Sequence, residues 1–167
     1  MMHFGVKDTP SHEGEVIRLH HIGFVIANIS EEAQTFASSL GATWGESVFR
    51  DPLQKATVTF LRAANPGDAL IELIEPTGEE SPVLQFLRKG GGLHHLCYEV
   101  RDMSAQLDYI RGVGGVVVRR PRPAVAFGDR LIAWVVTRHK LLIEYLQGDA
   151  PSLNREVAGP WKSGRIR

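Results

Sequence analysis

The chain of 167 residues holds a single cysteine, Cys97, so no disulfide can form within it, and a reducing cytoplasmic setting is expected. Charge of either sign is not in excess. The 19 Lys and Arg balance 19 Asp and Glu, leaving no global field to draw in nucleic acid or an anionic membrane, so neither is an expected partner. No apolar run approaches the roughly 18 residues of a membrane span, and Met1 to Glu15 lacks the apolar core of a signal peptide. What is present is ordinary for a globular protein: 43% hydrophobic and 23% charged residues, in a length suited to one domain or two half-size modules on a shared core. Any ligand must be recognised locally.

The sequence repeats itself. Leu19-His20-His21-Ile22-Gly23-Phe24-Val25-Ile26 returns 74 positions later as Leu93-His94-His95-Leu96-Cys97-Tyr98-Glu99-Val100. The same displacement carries Asn28 onto Asp102, Ser30 onto Ser104 and Gly41 onto Gly115. Further on, Leu70-Ile71-Glu72-Leu73-Ile74 returns as Leu142-Ile143-Glu144-Tyr145-Leu146.

Each repeat opens with a β-branched and aromatic run that reads as a strand, followed by a helix. Asn28 or Ser30 can cap the first helix, and Ala33, Phe36, Ala37 and Leu40 form its apolar stripe. The second helix, near 103–113, repeats this with Met103, Leu107 and Ile110. Three strands follow each helix, near 43–49, 55–62 and 69–75, then near 116–120, 130–137 and 141–146. The expected fold class is α+β: two βαβββ modules, 17–76 and 93–147, forming a cupped mixed β-sheet with the helices on its outer face. A linker, 77–92, carries a short helix read as starting from a Ser81 cap and Pro82, then the connector Gly90-Gly91-Gly92. An irregular arm, 148–167, ends the chain.

Alternation along a strand puts one histidine of each doublet on either face. Ile22, Phe24 and Ile26 share parity with His20, and Leu96, Tyr98 and Val100 with His94, so these faces are expected to pack on the helices. His21 and His95 then point to the concave side. The same parity places Glu72 and Glu144 opposite their apolar neighbours, stranded in runs where an unpaired carboxylate is costly and neither strand offers a Lys or Arg. A divalent cation resolves this. Two imidazoles and two carboxylates form a mixed N/O set suited to one Zn, Ni, Co, Mn or Fe ion, one His and one Glu coming from each module.

These modules resemble the vicinal oxygen chelate superfamily, which includes glyoxalase I, methylmalonyl-CoA epimerases, extradiol dioxygenases and bleomycin-resistance proteins. The stretch from Glu72-Leu73-Ile74-Glu75-Pro76 through Ser81-Pro82-Val83 to Gly92-Leu93-His94-His95-Leu96-Cys97-Tyr98-Glu99-Val100 is similar to methylmalonyl-CoA epimerases. The resemblance carries the family's four metal positions onto His21, Glu72, His95 and Glu144. It implies a metal-dependent isomerase that abstracts a proton next to a carbonyl through a metal-stabilised enolate, with Glu144 as the base and Glu72 as the next candidate. The expected partners are a small-molecule substrate, such as an acyl thioester, and a second copy of the chain in a homodimer.

The pattern also departs from epimerases. They often carry Gln where Glu72 stands, and the two-His, two-Glu set looks instead like glyoxalase I, a lactoylglutathione lyase. Val58 stands where some epimerases have a second catalytic Glu, and Phe127-Gly128-Asp129-Arg130 where they tend to have a His-Gly pair. A third reading is a non-catalytic antibiotic-binding protein of the same fold, which has no need of four ligands. Arg119, Arg120, Arg122 and Arg130 form a basic cluster that reads as a solvated turn, with an anionic cofactor such as coenzyme A or glutathione as the functional alternative. Glu99 shares the parity of His95 and reads as a supporting polar group, while His3, His12 and His139 receive no role.

Overall fold

A computed structural model describes residues 17–148; the expected C-terminal arm, like His3 and His12, lies outside them apart from Gly148. The elements in chain order are β1 (Arg18–Val25), α1 (Ile29–Ser39), β2 (Thr43–Asp51), β3 (Ala56–Arg62), β4 (Leu70–Pro76), α2 (Leu84–Arg88), β5 (Gly92–Val100), α3 (Met103–Gly112), β6 (Val116–Pro123), β7 (Leu131–Val136) and β8 (Leu142–Gln147). A single 3-10 turn, Val125–Phe127, separates β6 from β7. Together they form an α+β fold on one eight-stranded mixed sheet.

The sheet order β2-β3-β4-β1-β5-β8-β7-β6 reads the same from both ends once the repeat is taken into account. β1 runs parallel to β4, β5 parallel to β8, and the two halves meet where β1 pairs antiparallel with β5. Both halves of the repeat thus come together within one chain, and β1 and β5, which carry the histidine doublets, form the centre of the sheet.

The caps follow the repeat. Asn28 Oδ1 accepts from the Glu31 amide at the start of α1, and Asp102 Oδ1 from the Ala105 amide at the start of α3. Of the two caps expected for the first helix, Asn28 is the one used; Ser30 donates its hydroxyl to Asn28 Oδ1. Asn28→Ala is expected to cost about 1 kcal/mol of stability, seen as a lowered thermal midpoint without loss of ligand binding.

One face of the sheet carries the helices. Ile29, Ala33 and Ala37 of α1 bury against Leu61 and Leu73, and Met103, Leu107 and Ile110 of α3 against Ala133, Val135, Ile143 and Tyr145. Leu40, expected in the first stripe, is half exposed because it is the C-cap residue and lies beyond the last helical turn; Ile29 takes its place at the other end. The short helix also starts later than Ser81. Val83 is its N-cap, and the Ser81 hydroxyl is buried without a hydrogen-bond partner, so it caps nothing. All three glycines of the connector adopt positive φ, and at Gly91 a Cβ would lie 2.6 Å from the Val25 carbonyl oxygen, so the chain enters β5 by passing closely against β1.

The other face holds the inward residues Ala56, Val58, Phe60 and Ile74 from the first half and Ile132, Trp134 and Leu146 from the second. The 3-10 turn spans the two. Asp51, at the end of β2, accepts from the amides of Leu53 and Gln54 through Oδ1 and from the Val125 amide through Oδ2, so one buried carboxylate ties the turn of the second half onto the first. No helix among the described residues is long and apolar enough to cross a membrane.

Candidate metal centre

The regular alternation expected of β1 and β5 is broken at the histidines. Leu19 pairs with Tyr98 and His21 with Cys97, so His20 is an extra residue on β1; Gly23 pairs with His95 and Phe24 with Leu93, so His94 is an extra residue on β5. Each is a β-bulge, which places two residues opposite one and re-aims the bulged side chain. His20 and His94 therefore do not pack beneath the helices as strict alternation predicts. His20 lies against Phe127 of the 3-10 turn, with ring centroids 5.5 Å apart, and His94 lies between Phe86 and Trp134 on the cavity side.

His21 and His95, both fully buried, face each other at the centre with Nε2 atoms 3.1 Å apart. The flanking strands bring in the carboxylates. His21 Nε2 lies 3.3 Å from Glu72 Oε2 on β4 and 3.2 Å from Glu144 Oε2 on β8, and His95 Nε2 lies 3.5 and 3.7 Å from the same two oxygens. Because β4 and β8 lie on opposite sides of the β1–β5 pair, the two carboxylates approach the imidazoles from opposite sides.

Donors about 2.0–2.2 Å from a shared ion sit about 2.8–3.6 Å apart in octahedral or tetrahedral geometry, a range that takes in every spacing given above except the 3.7 Å one. Glu144 Oε2 is buried with no hydrogen-bond partner. His21, His95 and Glu144 each offer a ligand atom within 4.8 Å of the others, and with Glu72 Oε2 3.3 Å from His21 Nε2 this donor set fits one borderline divalent ion.

The electrostatics agree. Burial alone would raise the Glu144 carboxyl, but His21 and His95 outweigh it and hold the group below the usual carboxylate range. Burial opposes charge on His21, yet Cys97, Glu72 and Glu144 more than offset that and raise its imidazole. Cys97 is pushed up to about 12, first by burial, so it sits beside His21 as a neutral thiol and is no match for the carboxylates as a donor. His20 and His94 are each lowered to about 4, first by burial and then by the adjacent His21 or His95, which keeps both rings neutral at physiological pH.

Gly23 makes this packing feasible. A Cβ there would lie 2.1 Å from His95 Cε1, so the imidazole rests on bare β1 backbone. Phe127 stacks on His21 at a centroid distance of 5.6 Å and Trp134 meets His95 edge-on at 4.6 Å. Phe127, in the 3-10 turn, has no counterpart in the repeat, whereas Trp134 lies 74 positions after Phe60, which meets His21 edge-on at 5.7 Å as Trp134 meets His95; the repeat could have identified that pair.

Glu72, His95 and Glu144 lie at one end of a cavity of about 320 Å³ with largely apolar walls, among them Val58, Ile74, Ala126 and Trp134. A second space of about 450 Å³ adjoins it along Gln54, Pro82, Val118 and Arg119 and is bordered by Lys55, Arg120 and Arg122. Three of the four clustered arginines thus lie on strand β6 instead of in a turn; Arg120 and Arg122 are exposed, as a solvated reading expects, and all three border this space together with Lys55 and Glu80. Arg130 points elsewhere, pairing at 3.2 Å with Glu99, which Arg18 also holds at 2.6 Å. That network accounts for Glu99, and His139 sits in the exposed turn before β8.

A model of the glyoxalase/bleomycin resistance protein/dioxygenase superfamily matches residues 20–134, a segment that includes His21, Glu72 and His95. The chain is 34% identical over 110 residues to the ethylmalonyl-CoA/methylmalonyl-CoA epimerase of Cereibacter sphaeroides, covering 65% of this chain and 79% of that protein. It is also 34% identical over 90 residues to the mitochondrial methylmalonyl-CoA epimerase of Homo sapiens, covering 53% of this chain and 49% of that protein, so it spans about half of that relative's length. The solved structure of methylmalonyl-CoA epimerase from Mycobacterium tuberculosis superposes with a TM-score of 0.65 and 28% identity over 81% of this chain and 89% of that one. With the match running through both repeats and the fold shared, the chain belongs to the glyoxalase/bleomycin resistance protein/dioxygenase superfamily.

Proposed function

We propose that the protein is a metal-dependent epimerase acting on the carbon next to the carbonyl of an acyl thioester, with His21, Glu72, His95 and Glu144 holding one divalent ion. The observation that carries this reading is a two-His, two-Glu cluster at the inner end of an apolar cavity whose neighbour is basic. Its sequence relatives named as epimerases of methylmalonyl-CoA support the same substrate class.

A divalent ion bound there supplies the positive charge that stabilises an enolate oxygen when the neighbouring C–H loses its proton. The chain does the rest. Inverting a carbon requires a proton to leave one face and another to arrive on the opposite face, which calls for two groups on opposite sides of the substrate. On this reading Glu144 on β8 and Glu72 on β4, whose strands flank the β1–β5 pair, are the two groups. Val58 is apolar and Asp51 already accepts three backbone amides, so neither competes for the proton. Ile74, Ala126 and Trp134 keep water from the reacting carbon, and a dry site strengthens every charge within it. Arg119, Arg120 and Arg122 offer charge to an anionic carrier such as the diphosphate of a coenzyme A ester, while Lys55 in the same space is paired with Glu80.

The two-carboxylate set also favours a lactoylglutathione lyase reading, and the same assay separates the two. Metal-loaded protein in D2O is expected to incorporate deuterium at the α-carbon of a methylmalonyl-type thioester and to leave the hemithioacetal of glutathione unchanged, both followed by proton NMR. Turnover of the hemithioacetal without exchange into the thioester would overturn the epimerase reading.

A further inference from the structure

We infer that His20 and His94 are positioning residues that aim the two ligand imidazoles, a role that rests on the metal-centre reading above. His20 Nδ1 lies 2.9 Å from His21 Nδ1, and His94 Nδ1 lies 3.1 Å from His95 Nδ1. The contact is the same in both repeats, and in both it is made by the extra residue of a β-bulge.

The proton count gives the contact its purpose. An imidazole that gives its Nε2 lone pair to a cation must carry its proton on Nδ1. His21 and His95 then donate Nδ1–H, and His20 and His94 accept through Nδ1 with their own protons on Nε2. Each doublet is thus a donor–acceptor pair that fixes the tautomer and ring angle of the residue facing the centre. In a strand without bulges the first histidine of each doublet would be on the far face of the sheet, out of reach. The bulges therefore convert a repeated His-His dipeptide into one ligand and one support. Phe127 holds the edge of the His20 ring, and Phe86 and Trp134 hold that of His94, so neither acceptor is free to turn away.

The test compares loss of the acceptor with its conservative replacement. His20→Leu and His94→Leu keep apolar bulk but remove the acceptor; His20→Asn and His94→Asn return an amide atom near the Nδ1 position. Cobalt(II) affinity, read from quenching of tryptophan fluorescence and from the visible d–d bands of the loaded protein, is expected to fall by about 10–100-fold in each Leu variant and to recover in each Asn variant. The thermal midpoint of the metal-free protein reports folding separately. If one Leu variant fails to fold, the symmetry of the repeat lets the other pair decide. Wild-type affinity and spectrum in the Leu variants, or equal weakening by Leu and Asn, would overturn the inference while leaving the metal centre standing. Failure of the wild type to bind cobalt would overturn both.

Discussion

Gly23→Ala is expected to abolish tight metal uptake, because the new methyl group would occupy the space of the His95 ring. It would fall 2.1 Å from Cε1, 2.4 Å from Nδ1 and 2.8 Å from Nε2, all well inside van der Waals contact. The ring has no cheap escape. His95 is almost wholly buried, with Trp134 against one edge and His94 against another. Either the imidazole leaves the centre or β1 and β5 separate, and overpacking of this kind costs roughly 1–3 kcal/mol even where neighbours can shift. Elemental analysis of the purified variant should show far less than one divalent ion per chain, with a lowered thermal midpoint. The internal control lies 74 positions away. Cys97 occupies the repeat position of Gly23 and faces His21, but there the fold already accommodates a side chain. Cys97→Ala should retain metal. Full occupancy in Gly23→Ala would show that His95 is not a ligand.

The contrast between these two positions shows how far the sequence carries the fold. The sequence leaves Asn28 and Ser30 as alternative caps of the first helix; the displacement that superposes Asn28 on Asp102 points to Asn28, and in the structure both of these residues cap their helices. That displacement pairs His21 with His95, and a spacing of 72 pairs Glu72 with Glu144; in the structure His21, His95 and Glu144 converge, with Glu72 Oε2 3.3 Å from His21 Nε2. Such features are legible because they are local or recur at a fixed spacing. A bulge is neither. Whether His20 lies above or below the sheet depends on which residues of β5 oppose it, and that register is set by a partner strand far away in the chain. Strict alternation puts His21 and His95 on the concave face, where the structure has them, but places His20 and His94 on the opposite one. The arginines of β6 failed for the same reason: prolines at 121 and 123 read as a turn, whereas in the fold they sit on an edge strand, where a missing amide is tolerated. Lys55 joins them only because the turn between β2 and β3 meets β6 in the fold, where Gln54 lies 3.4 Å from Arg119.

Glu144→Gln is expected to slow interconversion of the two epimers by about 10²–10⁴-fold while leaving an oxygen donor at the centre. Glu144 is a buried carboxylate lining the cavity, 3.2 Å from His21 Nε2, and a carboxylate can take a proton from carbon where a neutral amide cannot. The amide preserves size and one carbonyl oxygen but cannot accept and return that proton. The opposite side of the site retains Glu72. If the two carboxylates serve opposite faces of the carbon, Glu144→Gln should still exchange the α-proton of one epimer in D2O without inverting it, and Glu72→Gln should do so for the other. Chiral analysis of recovered thioester alongside its deuterium content distinguishes the cases. Loss of exchange from both epimers in Glu144→Gln, with metal content unchanged, would assign proton transfer to Glu144 alone. Interconversion within tenfold of wild type would remove Glu144 from proton transfer and leave it a metal donor only.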